Sequence, residues 1–101
     1  MVRSKPYQES LLESLADANE AAAYLNAALE DGDPEVFLLA LRNVADARLG
    51  GMSKLAEATG LNRESLYRML SEQGNPELNS LSRLLHALGL KLAVEADDDA
   101  A

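Results

Sequence analysis

Apolar residues spaced three and four positions apart recur along most of this chain, and this periodicity is the strongest constraint on its fold. The clearest cases lie within residues 18–29 and 37–45. Such spacing places apolar side chains on one face of an α-helix. Only 4% of the residues are aromatic, and alanine and leucine are frequent, which also favours helices over sheets. We predict an all-α fold of about six helices.

Capping residues and glycines mark where these helices begin and end. Asp17 and Glu20 form a capping box, and Asp33-Pro34 supplies an N-cap followed by a first-turn proline, so each pair starts a long helix. Gly74 is predicted to end the fifth helix, and Asn75 to cap the sixth. The predicted elements are helices over 10–16, 18–31, 34–49, 53–59, 62–72 and 76–88, followed by a short C-terminal β-strand over Leu90–Glu95.

The predicted strand alternates apolar and other residues, and an isolated strand needs a pairing partner. Two partners are open: the N-terminal segment, or the same strand of a second subunit. We expect one helical domain at 18–96, after an N-terminal arm or short helix at 1–17. Residues 97–101 are expected to form a disordered acidic tail.

The absence of cysteine excludes disulfide scaffolds, cysteine zinc sites and iron–sulfur clusters, and it favours the cytoplasm. No apolar run approaches the roughly 20 residues of a membrane span. Residues 1–9 are polar and lack the apolar stretch of a signal peptide. We therefore expect a soluble cytoplasmic protein without a membrane partner.

The net charge of −8 is distributed unevenly along the 101 residues. Residues 1–47 carry three basic and nine acidic side chains, residues 48–91 carry six basic and four acidic ones, and the remaining tail carries four acidic ones. An acidic half followed by a mildly basic one can indicate two partners of opposite charge. A solvated surface that keeps the protein soluble explains the same distribution.

The helix pair within 52–72 has the most specific pattern. Ala56 is small enough for a close helix crossing, and Gly60 tolerates the positive φ of a tight turn between the helices. Apolar residues then fill the space between them: Leu55, Leu61, Leu66 and Met69. This stretch resembles the helix-turn-helix of the XRE (Cro/repressor-like) family, which implies a lambda-repressor-like core and a second helix that enters the DNA major groove. An ordinary αα-corner would use the same apolar positions for packing alone.

The second helix of this pair carries the best candidates for DNA contacts. Arg63 and Arg68 are predicted to reach base edges, because a guanidinium pairs bidentately with guanine. Ser53 and Lys54 suit a phosphate at a helix start, and Ser53 could also be an N-cap. The predicted DNA-binding residues are Ser53, Lys54, Asn62, Arg63, Glu64, Tyr67, Arg68, Ser71 and Asn75, with Ser80 as a weaker phosphate candidate.

Several of these residues also have an ordinary structural explanation. Asn62 and Asn75 suit helix capping, and Glu64 suits the helix dipole as well as a cytosine amine. Tyr67 would contact sugar, phosphate or a thymine methyl, or else pack half-buried. The small basic excess predicts weak binding by one domain, so a homodimer is expected on double-stranded operator DNA.

Catalysis and metal binding find little support in the sequence. The single histidine, His86, lies beside the apolar face of the last helix and has no second histidine as a co-ligand. The acidic pairs have no nucleophile beside them, and no glycine-rich phosphate loop is present. We expect a protein that is not an enzyme and needs no cofactor or metal.

A wider resemblance runs from about residue 7 to 94. Its segments are AYLNAAL at 23–29, GDP at 32–34, FLLAL at 37–41, LYRML at 66–70, GNP at 74–76 and ALGL at 87–90. In this order they resemble the addiction-module antidote proteins, a HigA-like antitoxin family with an XRE-type domain. The resemblance implies that the protein neutralises a small basic toxin of the RelE/ParE class and represses its own operon.

The acidic N-terminal half suits a basic toxin through complementary potential. We predict the toxin surface within residues 18–46, at Glu20, Tyr24, Glu30, Asp31 and Glu35, although a solvated face would explain these acids equally well. Two rival functions remain open. One is a solitary XRE-type repressor without a toxin, and the other is a protein-interaction module that has lost DNA binding.

Overall fold

Six α-helices follow one another in the computed structural model, which describes residues 6–71 and 75–99. Their bounds are α1 Tyr7–Leu15, α2 Ala18–Asp31, α3 Pro34–Leu49, α4 Met52–Thr59, α5 Arg63–Met69 and α6 Leu78–Ala87. The all-α prediction with about six helices is confirmed for the part of the chain that the structure describes.

The predicted caps of the two long helices are present. Asp17 Oδ2 accepts a hydrogen bond from the backbone N–H of Glu20 at 3.0 Å, and Asp33 Oδ1 accepts one from the N–H of Glu35 at 3.0 Å. Gly32 closes α2 with a φ of +84°, a left-handed conformation that a side chain disfavours. Local sequence signals therefore determine where α2 ends and α3 begins.

The predicted start of the last helix is wrong. Its N-cap is Glu77 rather than Asn75, and its first helical residue is Leu78, because 75–77 carry the chain towards α6 in a non-helical conformation. A side-chain cap contributes only about 1 kcal/mol, so it yields to the path that the chain must take between packed helices. The fifth helix is shorter than predicted and ends at Met69. Gly74, its predicted C-terminal glycine, lies outside the described residues.

The predicted C-terminal strand is not formed. None of the described residues pairs with 90–95, and the chain there has neither helix nor strand. A strand is stabilised by its hydrogen-bond ladder, so an alternating pattern alone does not produce one in a single copy of the chain.

The core is one cluster of buried side chains shared by all six helices, and α3 is central to it. Helix α3 contacts α1, α2 and α4, and α4 in turn contacts α5 and α6. The largest fully buried side chains are Leu15, Leu41, Val44, Leu55, Leu66, Leu84 and Leu88. Because α4 bridges α3 to the last two helices, the outer surface of α5 is positioned by the same core.

Arg48, near the end of α3, links three helix ends. Its Nε donates to the carbonyl of Leu88 at 2.6 Å, and its Nη1 donates to the carbonyl of Ala16 at 2.5 Å. Both acceptors lie at helix C-termini, where carbonyls lack helical partners and a cation is favourable. Arg48, one of the six basic residues counted in the basic half, therefore serves to stabilise the fold.

Candidate nucleic-acid interface

The corner between α4 and α5 is held by a threonine that the sequence analysis did not single out. Thr59 is buried, and its Oγ1 donates to the carbonyl of Leu55 at 2.8 Å and accepts from the N–H of Leu61 at 3.3 Å. Gly60 follows with a φ of +75°, as predicted. A hydroxyl directly before the turn glycine was the available signal, since it can bond both to the ending helix and to the turn.

Helix α5 is capped and anchored so that one face points away from the core. Asn62 Oδ1 accepts from the N–H of Ser65 at 2.7 Å, which confirms Asn62 as the N-cap. Leu66 and Leu70 are buried, and Met69 packs against the same core. The spacing of these three side chains assigns the inner face of α5.

The outer face of α5 carries the predicted base-contacting residues. Arg63, Glu64 and Arg68 are exposed, and Tyr67 is 43% exposed. The Arg63 guanidinium carbon lies 5.8 Å from the centroid of the Tyr67 ring, within reach of a cation–π contact. Two guanidinium groups and one aromatic ring are therefore exposed along α5, and Arg63 and Tyr67, four residues apart, share a face.

The remaining predicted DNA-binding residues lie after the end of α5, in the first turn of α4 and before α6. Ser71 is partly buried, and its Oγ donates to the carbonyl of Arg68 at 2.7 Å. Ser53 and Lys54 are exposed in the first turn of α4, whose N-cap is Gly51 rather than Ser53. Asn75 is exposed and caps no helix.

The charge on this surface is only mildly positive. Lys54 Nζ lies 3.8 Å from Glu57 Oε2 in an exposed ion pair, which offsets part of its charge. Over α4 and α5 there are three basic and two acidic side chains. A surface of this kind neutralises few phosphates, which limits the electrostatic contribution to DNA affinity.

The structure separates the predicted toxin-binding residues into two places. Glu20 lies in the first turn of α2, about 15 Å along the helix axis from Glu30 at a rise of 1.5 Å per residue. Tyr24 is partly buried, and its hydroxyl accepts from Asn43 Nδ2 at 2.9 Å. Tyr24 therefore has a structural contact between α2 and α3.

Glu30, Asp31 and Glu35 come together around the turn between α2 and α3, and all three are exposed. Three exposed apolar side chains that the sequence analysis did not propose for binding lie on the same two helices, namely Leu29, Val36 and Leu39. Val36 and Leu39 line one groove, whereas Leu29 lines a separate groove beside the segment that follows α6. We call these six residues the corner surface. Leu39 does not share the three-and-four spacing of the buried apolar residues of α3, and this difference indicates that it is exposed.

A groove of about 460 Å³ opens next to the corner surface, between α3 and the end of α5. Its walls are Glu35, Val36, Leu38, Leu39, Arg42, Leu70 and Ser71. The Nε of Arg42 is buried there without a hydrogen-bond partner among the described residues. A buried donor without an acceptor is unfavourable, and because this nitrogen has almost no accessible surface it adds no polar contact to the groove.

Within residues 6–71 and 75–99, none of the helices combines the length and the hydrophobicity that a membrane span requires. No group of three or more histidine, aspartate and glutamate side chains in the same part of the chain has an arrangement that could hold a metal ion.

These observations define a small all-helical protein with two candidate binding surfaces, the outer face of α5 and the corner surface. The profile of the family described as a probable addiction module antidote protein matches residues 7–96. This protein therefore belongs to the addiction module antidote family, whose members are in general antitoxins with a toxin partner and are not enzymes.

A relative from Haemophilus influenzae, an uncharacterized protein, is 37% identical over 83 residues. The match covers 82% of this chain and 84% of the relative. No solved structure matches the chain.

Proposed function

We propose that this protein is a HigA-like antitoxin that acts in the cytoplasm, neutralises a toxin of the RelE/ParE class and represses its own operon as a homodimer. In this proposal α4 and α5 form an XRE-type helix-turn-helix. The observation that carries the DNA-binding half is the outer face of α5, where Arg63 and Arg68 are exposed on a helix anchored by Leu66.

The proposal assigns each exposed group a role on DNA. Arg63 and Arg68 are the base-reading residues, since a planar guanidinium matches the two acceptors of guanine in the major groove. Tyr67 holds Arg63 through its ring and contacts the sugar-phosphate backbone. Lys54 and the first-turn amides of α4 contact phosphate, which positions the protein without reading sequence.

The experiment is a titration of the protein against the DNA upstream of its own gene, at several salt concentrations and with competitor DNA. Arg63→Ala and Arg68→Ala are each expected to lose about 1–3 kcal/mol of specific binding, because each removes a base contact. Arg83→Ala is the matched control, as Arg83 is an exposed arginine on α6, outside the proposed interface.

Selective binding that survives in Arg83→Ala and is lost in the other two variants supports the repressor function. Equal losses in all three variants would mean that the arginines contribute only general charge. Absence of selective binding by folded protein, with and without the toxin, would leave an interaction module that does not read DNA.

The toxin half of the proposal rests on the corner surface and its groove. Carboxylates at Glu30 and Asp31 complement a basic partner, and Val36 and Leu39 supply apolar area of the kind that is buried in interface cores. Glu20, in the first turn of α2, and Tyr24, near the middle of that helix, are not part of this revised surface. The proposed site thus combines charge for steering with apolar contacts for affinity.

The test is binding of the toxin encoded beside this gene, measured without DNA. Leu39→Asp and the double variant Glu30→Lys/Asp31→Lys are expected to weaken the complex, whereas Glu20→Lys should bind as the wild type does. If Glu20→Lys alone weakens the complex, the toxin surface lies at the start of α2. A folded protein that binds its operator but no neighbouring toxin would be a solitary repressor.

A further inference from the structure

The segment after α6 is an unpaired stretch of backbone at the surface. The N–H of Leu90 donates to the carbonyl of Leu85 at 2.8 Å, and the N–H of Gly89 donates to the carbonyl of His86 at 3.0 Å. These two bonds end α6 in a Schellman motif, with Gly89 at positive φ. From residue 90 to 97 the chain has neither helix, turn nor bend. Within the described chain, no backbone hydrogen bond involves residues 91–96.

Burial decreases steadily along the apolar side of this segment. Leu90 packs against the core, Leu92 is 43% exposed, and Val94 is 99% exposed. The apolar side chains of the segment are therefore packed on the fold at residue 90 and exposed to solvent at residue 94. An exposed valine beside free backbone donors and acceptors is the arrangement that pairs with another strand.

We propose that two copies of this chain pair through residues 90–96 as antiparallel strands, with the two-fold axis at Ala93. The inference deepens the homodimer of the proposed function by naming its contact, and it requires neither DNA nor toxin. The single chain has no strand here because the strand's partner is the same segment of the second copy.

The sequence is self-complementary in this register. With Ala93 opposite Ala93, each Lys91 lies opposite Glu95 of the second copy, and each Leu92 lies opposite Val94. Residues directly opposite share a face of the pair, so opposite charges meet on one face and apolar side chains meet on the other. The bare Val94 is covered by a leucine in both halves.

Other registers fit less well. Centring the axis on Leu92 sets Lys91 opposite Ala93 and leaves Glu95 without an opposite charge. A shift by one residue sets Lys91 opposite Val94, because it exchanges the two faces. Parallel pairing in register sets Lys91 against Lys91 and brings the acidic residues after 96 together, which charge repulsion disfavours.

The first experiment is a charge swap, measured as the dimer dissociation constant of the full chain by sedimentation without DNA. Lys91→Glu and Glu95→Lys each create two like-charge pairs and are expected to weaken the dimer about tenfold. The double variant Lys91→Glu/Glu95→Lys restores both pairs and should return to within about threefold of wild type. Arg83→Glu is the control for a general effect of charge.

The second experiment uses cysteine, which the natural chain lacks. Ala93→Cys places two thiols directly opposite each other, within the Cα separation that a disulfide spans, and should cross-link quickly under mild oxidation. Leu92→Cys is the matched control, because the two Leu92 positions are diagonal and about 7–8 Å apart in this register. Faster cross-linking of Leu92→Cys would overturn the Ala93 register.

A wild-type chain that stays monomeric up to about 100 times the concentration at which it binds DNA would overturn the pairing. A dimer unaffected by either single charge swap would overturn it as well. The DNA titration with Arg63→Ala and Arg68→Ala is measured separately, so loss of the proposed function and loss of this contact are distinguishable.

Discussion

Replacing Arg48 by methionine tests whether this arginine belongs to the fold or to a DNA-binding surface. Methionine keeps the helix propensity and much of the apolar stem of arginine but removes every donor. The carbonyl of Leu88, which is partly buried, then loses the guanidinium hydrogen bond. The carbonyl of Ala16 is exposed and exchanges its bond for water at little cost.

The size of the effect follows from these two contacts. A hydrogen bond from a charged donor contributes about 1.5–3 kcal/mol, and only the Leu88 bond counts in full. We expect Arg48→Met to lower the free energy of unfolding by about 2 kcal/mol. For a chain of this size, that corresponds to a decrease in Tm of roughly 10 °C. Arg48→Lys should recover only part of the lost stability, because a lysine ammonium keeps the positive charge but cannot place donors on both carbonyls as a guanidinium does.

The assay is thermal unfolding followed by circular dichroism, with Arg68→Met as the matched control. Arg68 is exposed, so its replacement should change stability by less than about 0.5 kcal/mol. In the DNA titration the order reverses, and only Arg68→Met should lose specific binding. A melting temperature of Arg48→Met within about 2 °C of wild type would refute the assignment of Arg48 to the fold.

Three further predictions concern the turns and one helix cap. Thr59→Val should lower stability by about 1–3 kcal/mol in chemical denaturation, since it leaves the N–H of Leu61 without its acceptor, whereas Thr59→Ser should restore most of the loss. Gly89→Ala should lower the Tm more than Gly32→Ala does. Both positions have a positive φ, but a Cβ at position 89 would lie 2.9 Å from Arg48 Nη2, whereas position 32 has open space. Equal Tm losses in the two variants would contradict this prediction. Asn62→Ala should cost about 1 kcal/mol in the same denaturation assay, with Asn62→Ser close to wild type, and no difference between the two would argue against the cap.

Local signals account for most of the secondary structure and for the core of the candidate interface. The Asp17 and Asp33 caps, the turn at Gly60 and the cap at Asn62 act within three or four residues of themselves, so the sequence pattern is sufficient to predict them. The exposed face of α5 follows from the spacing of its buried leucines for the same reason.

The placement of the predicted toxin-binding residues depends on tertiary contacts. Whether Glu20, Tyr24 and Glu30 share a surface depends on which side of α2 packs on α3, and the sequence pattern does not specify this. The bond between Tyr24 and Asn43 joins residues 19 positions apart, which no local pattern reveals. The apolar members of the corner surface became evident only from their exposure.

The helical class, the positions of the long helices and the family of this chain all follow from its residues alone. The contacts of Arg48 with two other helix ends, the start of α6 at Leu78 and the absence of a strand over 90–95 in one copy became known from the folded chain. The two groups of features differ in the sequence distance over which they act. Caps and periodicity depend on neighbours along the chain, whereas a long side chain or a strand depends on groups that folding or a second copy brings beside it.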